Sequence, residues 1–442
     1  MSRFFQAASH RVIHLPGGKH SLYRQATLLG LTLGILLIAG CGMQPYRGAS
    51  VEAAPFLARS IVQEDGPLRV TAAVPDAGET LALTGLDLYS QGIQPVWLKV
   101  ENTGDAPARI TLWSIDRNYF SPIEVAYMNR KRFSSGGYEA MQRWFYDNAL
   151  PRVVPAGEAR SGLVFTYLTP GTKGFNLDVF SSRVSHNFTF FVPMPGFTPD
   201  YMRVDFAALY RADEIRQLDI ASLKPLLEEE LPCCAGGPEE GDVGGPLNVV
   251  FVATPLALRR SLLRAGWQET EAESEDSARA RQRRFDGRAP DAIFHLERKD
   301  GDERLGLLLW RAPWDVDGEP GWVGVVYYTV LEKAFLARLE SGSTVRDSAF
   351  LSRFANESVS ADIDSASRLM VQRFWYSQSL AKLGLVRGVG EATVDNPHVT
   401  FDGTAYLTDG LRQVLFLSET PVALDDAEEI FGRDYLQTGA IP

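Results

Sequence analysis

The chain has 442 residues, 45% of them hydrophobic, and carries 44 Lys and Arg against 55 Asp and Glu, a formal charge of −11. That acidic balance speaks against nucleic acid or an anionic membrane surface as partner, since both call for a broad basic face. Hydrophobic content supports real cores, and the length allows two domains of ordinary size.

The first 24 residues hold Arg3, Arg11, Lys19 and Arg24 and no acid, and an uncharged, mostly aliphatic run follows from Ala26 to Gly40. A basic start, a short apolar stretch and small residues before a cut define a secretory signal, assigned to residues 1–40. The run is shorter than the roughly 20 residues a spanning helix needs. It ends in Ile38-Ala39-Gly40-Cys41, which resembles the bacterial lipobox. The resemblance implies lipidation of the Cys41 thiol, cleavage before it and anchoring by several acyl chains, where one would hold only marginally. Gly42 in place of Asp favours, by analogy, the periplasmic side of the outer membrane. Removal of residues 1–40 takes four positive charges and leaves −15.

Residues 41–60 are small, polar and Pro/Gly-bearing and read as a tether. From 61 to 211 the pattern is strand-like: Val96 to Val100, Arg109 to Trp113, Gly162 to Leu168, Phe175 to Phe180, Phe188 to Val192 and Met202 to Leu209, punctuated by Pro and Gly. Short strands with regular turns predict an antiparallel β-sandwich, with a helix-like insertion at Tyr138 to Asn148. Residues 212–245, with Glu228-Glu229-Glu230 and a glycine-rich stretch, read as a linker. From 246 to 418 an α+β domain is expected, a mixed sheet with helices on one face. Its elements are a strand at Leu247 to Val252, a helix capped by Thr254-Pro255 and stopped at Gly266, and a charged, exposed segment from Glu269 to Arg288. Strands follow at Ala292 to Glu297, Leu305 to Arg311 and Trp322 to Thr329, then a helix-like Val330 to Leu339. A second helix runs from Asp364 to near Gly384, before strands at Val399 to Leu407 and Leu411 to Leu417. Residues 419–442 form an acidic, peripheral tail.

The second domain resembles the LssY C-terminal domain family over roughly 246–418. The resemblance rests on Pro246-Leu247-Asn248-Val249-Val250-Phe251-Val252, Ala265-Gly266-Trp267, Gly287-Arg288-Ala289-Pro290-Asp291-Ala292-Ile293-Phe294, the Trp310 strand, Trp322-Val323-Gly324-Val325 and Thr408-Asp409-Gly410. It implies the same α+β fold but no reaction. Where the family pattern reads Arg-x-His-x-Arg-x-Trp, this chain has Arg304-Leu305-Gly306-Leu307-Leu308-Leu309-Trp310, so the histidine position is Gly306 and the second arginine is Leu308. The family's histidine ahead of the last long helix is also missing, with Ser358 and Val359 in that region. Any chemistry that those histidines perform elsewhere is expected to be lost.

No nucleophile elbow, phosphate-binding loop, HExxH or EF-hand pattern occurs, and the sequence implies no cofactor and no metal. Three histidines follow the signal. His186 reads as a surface turn and His398 as loop. His295, with Asp291, Glu297 and Asp409, could form an acid–base or metal site, though a strand histidine facing solvent or hydrogen-bonded in the core accounts for it more simply. Asp362 and Asp364 precede a helix and read as capping groups, with a cation site as the other option. Arg288 and Asp291 flank a tight turn and can pair. Adjacent Cys233 and Cys234 leave three options open in an oxidising compartment: a vicinal disulfide, a bridge to another chain, or free thiols. Trp375 and Tyr376 fall off their helix's apolar stripe and could anchor an interface. These observations lead to an expected non-enzymatic binding or scaffolding module, lipid-anchored in the envelope, with a protein or small-ligand partner. The alternative is a hydrolase or lipid-modifying enzyme with a site near Asp291, His295 and Asp409.

Overall fold

The architecture is that of a computed structural model, which describes residues 45–169, 171–206, 208–298, 303–331, 357–359 and 362–432. Cys41, the signal segment, the helix expected at Val330 to Leu339 beyond Leu331 and the last ten residues lie outside the described residues. Among those described, no helix is long and apolar enough to cross a membrane.

The first domain is an antiparallel β-sandwich. One sheet contains β1 (Ile61–Asp65), β2 (Leu68–Ala73), β3 (Ile93–Asn102) and β6 (Ala159–Tyr167) in that order; the other is ordered β5 (Val153–Val154), β4 (Ala108–Thr111), β7 (Lys173–Ser181) and β8 (Val184–Val192). Alternation sets the core: Val96, Leu98 and Val100 of β3 point between the sheets with Leu177, Val179, Phe188 and Phe190. Strand β6 reads as a continuous apolar run because both of its faces are covered. Val164 faces the sandwich, while Leu163 and Phe165 meet a second core that α1 (Ala77–Thr84) joins through Leu83, beneath α2 (Pro122–Met128) and α3 (Ser135–Asp147). Helix α3 is the expected insertion, capped by Ser134, whose side chain accepts from the Gly137 amide.

Two readings of this half need correction. Tyr46, Val51 and Phe56 are buried in the core beneath α2 and α3, so the body begins near residue 46 and not after a tether ending at 60. Few large apolar residues among small polar ones hid three anchoring side chains. Met202 to Leu209 is not a strand; a 3-10 turn at Asp200–Arg203 is followed by irregular chain.

The second domain is a mixed sheet ordered β13 (Gln268–Glu269), β14 (Ala292–Arg298), β15 (Glu303–Val316), β16 (Glu319–Leu331), β12 (Val249–Val252), β21 (Leu411–Leu417), β18 (Leu380–Arg387) and β22 (Glu428–Phe431). Strand β12 runs antiparallel to β16 and parallel to β21. Two long helices, α5 (Pro255–Arg264) and α7 (Ile363–Tyr376), share one face, where Leu262, Met370 and Phe374 pack on Val249 and Phe251. Thr254 caps α5 by accepting from the Ala257 amide, and Gly266 stops it at φ 89°.

The opposite face is covered by the segment read as a linker. Within 212–245, β9 (Arg216–Leu218) pairs in parallel with β15, and α4 (Ile220–Pro225) leads into a π turn at Leu226–Glu230. Leu223, Leu226, Leu227 and Leu231 are buried against Val250, Val252, Trp310 and Val323. Their helical spacing was masked by the acidic run beside them, whose carboxylates face outward. The hairpin of β10 (Cys234–Gly236) and β11 (Val243–Pro246) completes the segment.

Other expectations shift for similar reasons. Helix α7 ends at Tyr376, Gln378 takes a positive φ of 59°, and Leu380 to Arg387 is a strand rather than more helix. Val399 to Leu407 is a small hairpin, β19 (His398–Val399) against β20 (Ala405–Tyr406). The segment at 269–288 is not wholly exposed: α6 (Glu275–Ala280) buries Ala280, and Phe285 follows it inward. The acidic tail contributes β22, a parallel edge strand beside β18, so it belongs to the sheet as far as Phe431.

Candidate functional site

Three neighbouring strands build the floor of a concave site. Register places His295 of β14 opposite Gly306 of β15, which lies opposite Tyr327 of β16. The adjacent rows hold Ile293 with Leu308, and Arg304 with Thr329. All point away from the face covered by α5 and α7, as the two-residue period requires. Walls come from α6, which supplies Arg279 and Ala280, from Arg283 just after it, and from the β19–β20 hairpin through Asp402, Thr404 and Ala405. The cavity, open on one side, measures about 530 Å³.

Among the described residues, Arg279, Arg283, Arg304 and His295 line the cavity, with Asp402 as the acidic residue there. Arg283 bonds Asp402 at 2.6 Å and lies over the Phe401 ring at 5.4 Å, which ties the hairpin to the floor's wall. The His295 Nδ1 lies 3.3 Å from the Thr270 hydroxyl. Arginine forks arranged around one hollow suit carboxylate or phosphate oxygens.

The floor depends on glycine at position 306. A Cβ built on Gly306 would lie 2.2 Å from Tyr327 Cζ, because the tyrosine ring lies across that position. A histidine there would require the ring to move. Leu308, in the next row of the floor, is buried.

The three residues of the alternative site are not brought together. Asp291 is buried and engaged: Arg288 donates to its Oδ1 at 2.6 Å and the Arg311 amide to its Oδ2 at 2.7 Å. Burial pushes its pKa up against the pull of Arg288. Asp291 and His295 stand four positions apart along one strand direction, about 13 Å by strand rise. Asp409 lies two residues before β21, which is four strand spacings from β14, about 19 Å away. It bonds Arg368 at 3.0 Å in another groove, while its amide donates to Asp364 at 2.7 Å. Glu297 lies beyond His295 on β14 and is exposed.

Remaining candidates resolve individually. Asp362 caps α7, accepting from the Ser365 amide at 3.0 Å. Asp364 accepts from Thr408 and from the Asp409 amide, and burial raises its pKa. Among the described residues, no group of three or more His, Cys, Asp or Glu side chains could hold a metal ion. His186 is not a surface turn residue; it is buried on β8 with Nδ1 2.8 Å from Asp65. His398 packs on Tyr406, its Nδ1 3.3 Å from the hydroxyl. Cys233 and Cys234 form a vicinal disulfide. Trp375 and Tyr376 stack on each other on the protein surface, and the Trp375 indole donates to Leu424 O at 2.7 Å.

Two buried groups escaped the sequence reading. Asp200 is fully buried behind the site, where it accepts from the Ile293 amide at 3.2 Å while its own amide donates to Thr270 O. Desolvation raises its pKa to about 7. Arg412 is also fully buried and donates to the carbonyls of Leu227, Leu231, Pro232 and Gly388. It faces no carboxylate in these bonds, and desolvation lowers its pKa to about 10. An Arg inside Leu411-Arg412-Gln413-Val414 reads as an outward strand residue, so no local signal marked it.

No family model matches the chain, and no curated protein matches it. Among solved structures, the GAE domain of GGA2p from Saccharomyces cerevisiae is similar at 7% identity over 31% of this chain and 97% of that one. The TM-score of 0.15 is too low for that likeness to carry an argument.

Proposed function

We propose that this chain is a lipid-anchored envelope protein, held at the periplasmic side of the outer membrane through Cys41, whose C-terminal domain binds a small anionic ligand without transforming it. One observation carries the ligand reading: Arg279, Arg283, Arg304 and His295 converge on one cavity. The basic n-region, short apolar stretch and Ile38-Ala39-Gly40-Cys41 support the anchor. The hydrolase alternative loses its support, because Asp291, His295 and Asp409 occupy separate places. A relationship of residues 246–418 to the LssY C-terminal domain family remains part of the proposal. In it, Gly306 and Tyr327 take the place of the pattern's histidine, and cationic groups come from the wall through Arg279 and Arg283 and from the floor strands through Arg304 and His295.

Calorimetric titration of the native lipoprotein with inorganic phosphate and with acetate tests the ligand reading. Saturable binding is expected, weakened about tenfold by Arg304→Gln or by Arg283→Gln, since one charge-assisted hydrogen bond contributes about 1.5 kcal/mol or more. No saturable heat, or affinity unchanged from wild type in both variants, refutes it. For the anchor, labelled palmitate should enter the wild-type protein and not Cys41→Ala; incorporation into both overturns lipidation at Cys41.

A further inference from the structure

Helix α2 is built as a surface helix with the wrong surface. Ser121 and Glu124 form a capping box, Pro122 opens the first turn, and Val125 and Ala126 turn inward. Polar residues are expected on the outward positions. Instead these include Ile123, Tyr127 and Met128, 54%, 54% and 44% exposed. Tyr146 of α3, 69% exposed, borders the same groove as Ile123. The helix then runs into Arg130-Lys131-Arg132, with the Arg130 guanidinium over the Tyr127 ring at 3.6 Å. Arg143 is exposed on α3; Glu139 and Asp147 of that helix are the acids at this border.

The position of this face relative to the anchor gives it meaning. Tyr46 is buried, its ring 5.5 Å from that of Phe133, the residue that directly follows Arg132. Cys41 stands five positions before Tyr46, at most about 18 Å of extended chain. A lipid on Cys41 therefore holds the basic turn within a short reach of the headgroups. Tyrosine and arginine favour that interfacial zone, and each basic side chain near an anionic surface adds about fivefold to affinity. The overall charge of the mature chain repels such a surface, so a local basic face would also orient the acidic bulk away from it.

We propose that α2, the Arg130–Arg132 turn and the exposed side of α3 form a docking face for anionic phospholipid headgroups beside the anchor, an inference that rests on the lipid-anchor reading. The test uses the native lipoprotein in phosphatidylcholine vesicles with and without phosphatidylglycerol, with flotation and amide hydrogen exchange read on the same samples. Flotation reports the anchor, and exchange over residues 122–133 reports docking. The expected result is co-flotation with both vesicles, with exchange over 122–133 slowed about tenfold only where phosphatidylglycerol is present. Charge reversal by Arg130→Glu, Lys131→Glu and Arg132→Glu together should leave flotation intact and remove the slowing. Flotation with equal exchange on both vesicles overturns docking and leaves the anchor standing. Slowing that grows with protein density on uncharged vesicles assigns the face to a second copy and also overturns it. Absence of flotation removes both readings.

Discussion

Asp200 makes stability depend on pH in a calculable way. Its carboxylate has no exposure, Oδ1 accepts one backbone amide, and the Arg281 guanidinium stands 3.5 Å from Oδ2. Desolvation outweighs those attractions, Glu269 adds repulsion, and the folded-state pKa rises from 3.8 to about 7. The folded state thus binds the proton more tightly than the unfolded chain. Stability from this group is full below about pH 4, falls as pH rises toward 7 and levels off above it. At about 1.4 kcal/mol per pKa unit, the whole loss is about 4 kcal/mol. Most of it, on the order of 2–3 kcal/mol, falls between pH 5 and pH 8. Urea denaturation of wild type and Asp200→Asn at both pH values isolates this contribution, because other titrating groups cancel in the comparison. Asparagine can keep the acceptor for the Ile293 amide. The wild type should lose on the order of 2–3 kcal/mol more than the variant between pH 5 and pH 8. Parallel losses in both proteins would refute a proton held on Asp200.

Arg412→Met should lower stability by on the order of 3 kcal/mol in the same assay, because buried carbonyls of the 227–232 segment and Gly388 lose their donor; a change under about 1 kcal/mol would show that water replaces the guanidinium. Gly162→Ala should cost about 1–3 kcal/mol, since a Cβ there would sit 2.5 Å from the backbone of Ala149 and Leu150, which cannot rotate aside; an unchanged denaturation midpoint would contradict that contact. Gly306→Ala should be partly rescued by Tyr327→Ala, with a coupling of about 1 kcal/mol or more in a double-mutant cycle. Strictly additive effects would mean that the ring does not occupy the position.

Legibility followed the distance over which a signal acts. Strand alternation in β3, the Thr254 cap with Gly266 stop, and α3 are local patterns, and these appear with small shifts of boundary. Segments that needed a partner to be understood were misread. Residues 212–245 combine acids and glycines that look like a linker, yet four leucines among them cover a sheet face more than eighty residues away in parts. The same holds for Leu380 to Arg387, whose apolar positions continue the helical stripe in sequence but pair with β21 in space.

Site residues divide along the same line. Asp291 and Asp409 drew attention as carboxylates in conspicuous short runs, and the structure uses each to hold a neighbouring backbone and an arginine. His295 lies in the candidate cavity, but its companions there are arginines from a segment read as an exposed charged run and from a strand noted for what it lacked. A cluster of like charges is costly to assemble unless something offsets the repulsion. Asp402 offsets part of it through Arg283, and its place on the hairpin makes the site depend on a long-range contact rather than on any motif. Neutralising that carboxylate with Asp402→Asn should therefore weaken the hairpin's hold on the wall. It should also raise the affinity for an added anion, which would take over the charge that the carboxylate supplied. Weaker anion binding in that variant would show that Asp402 acts mainly by positioning Arg283.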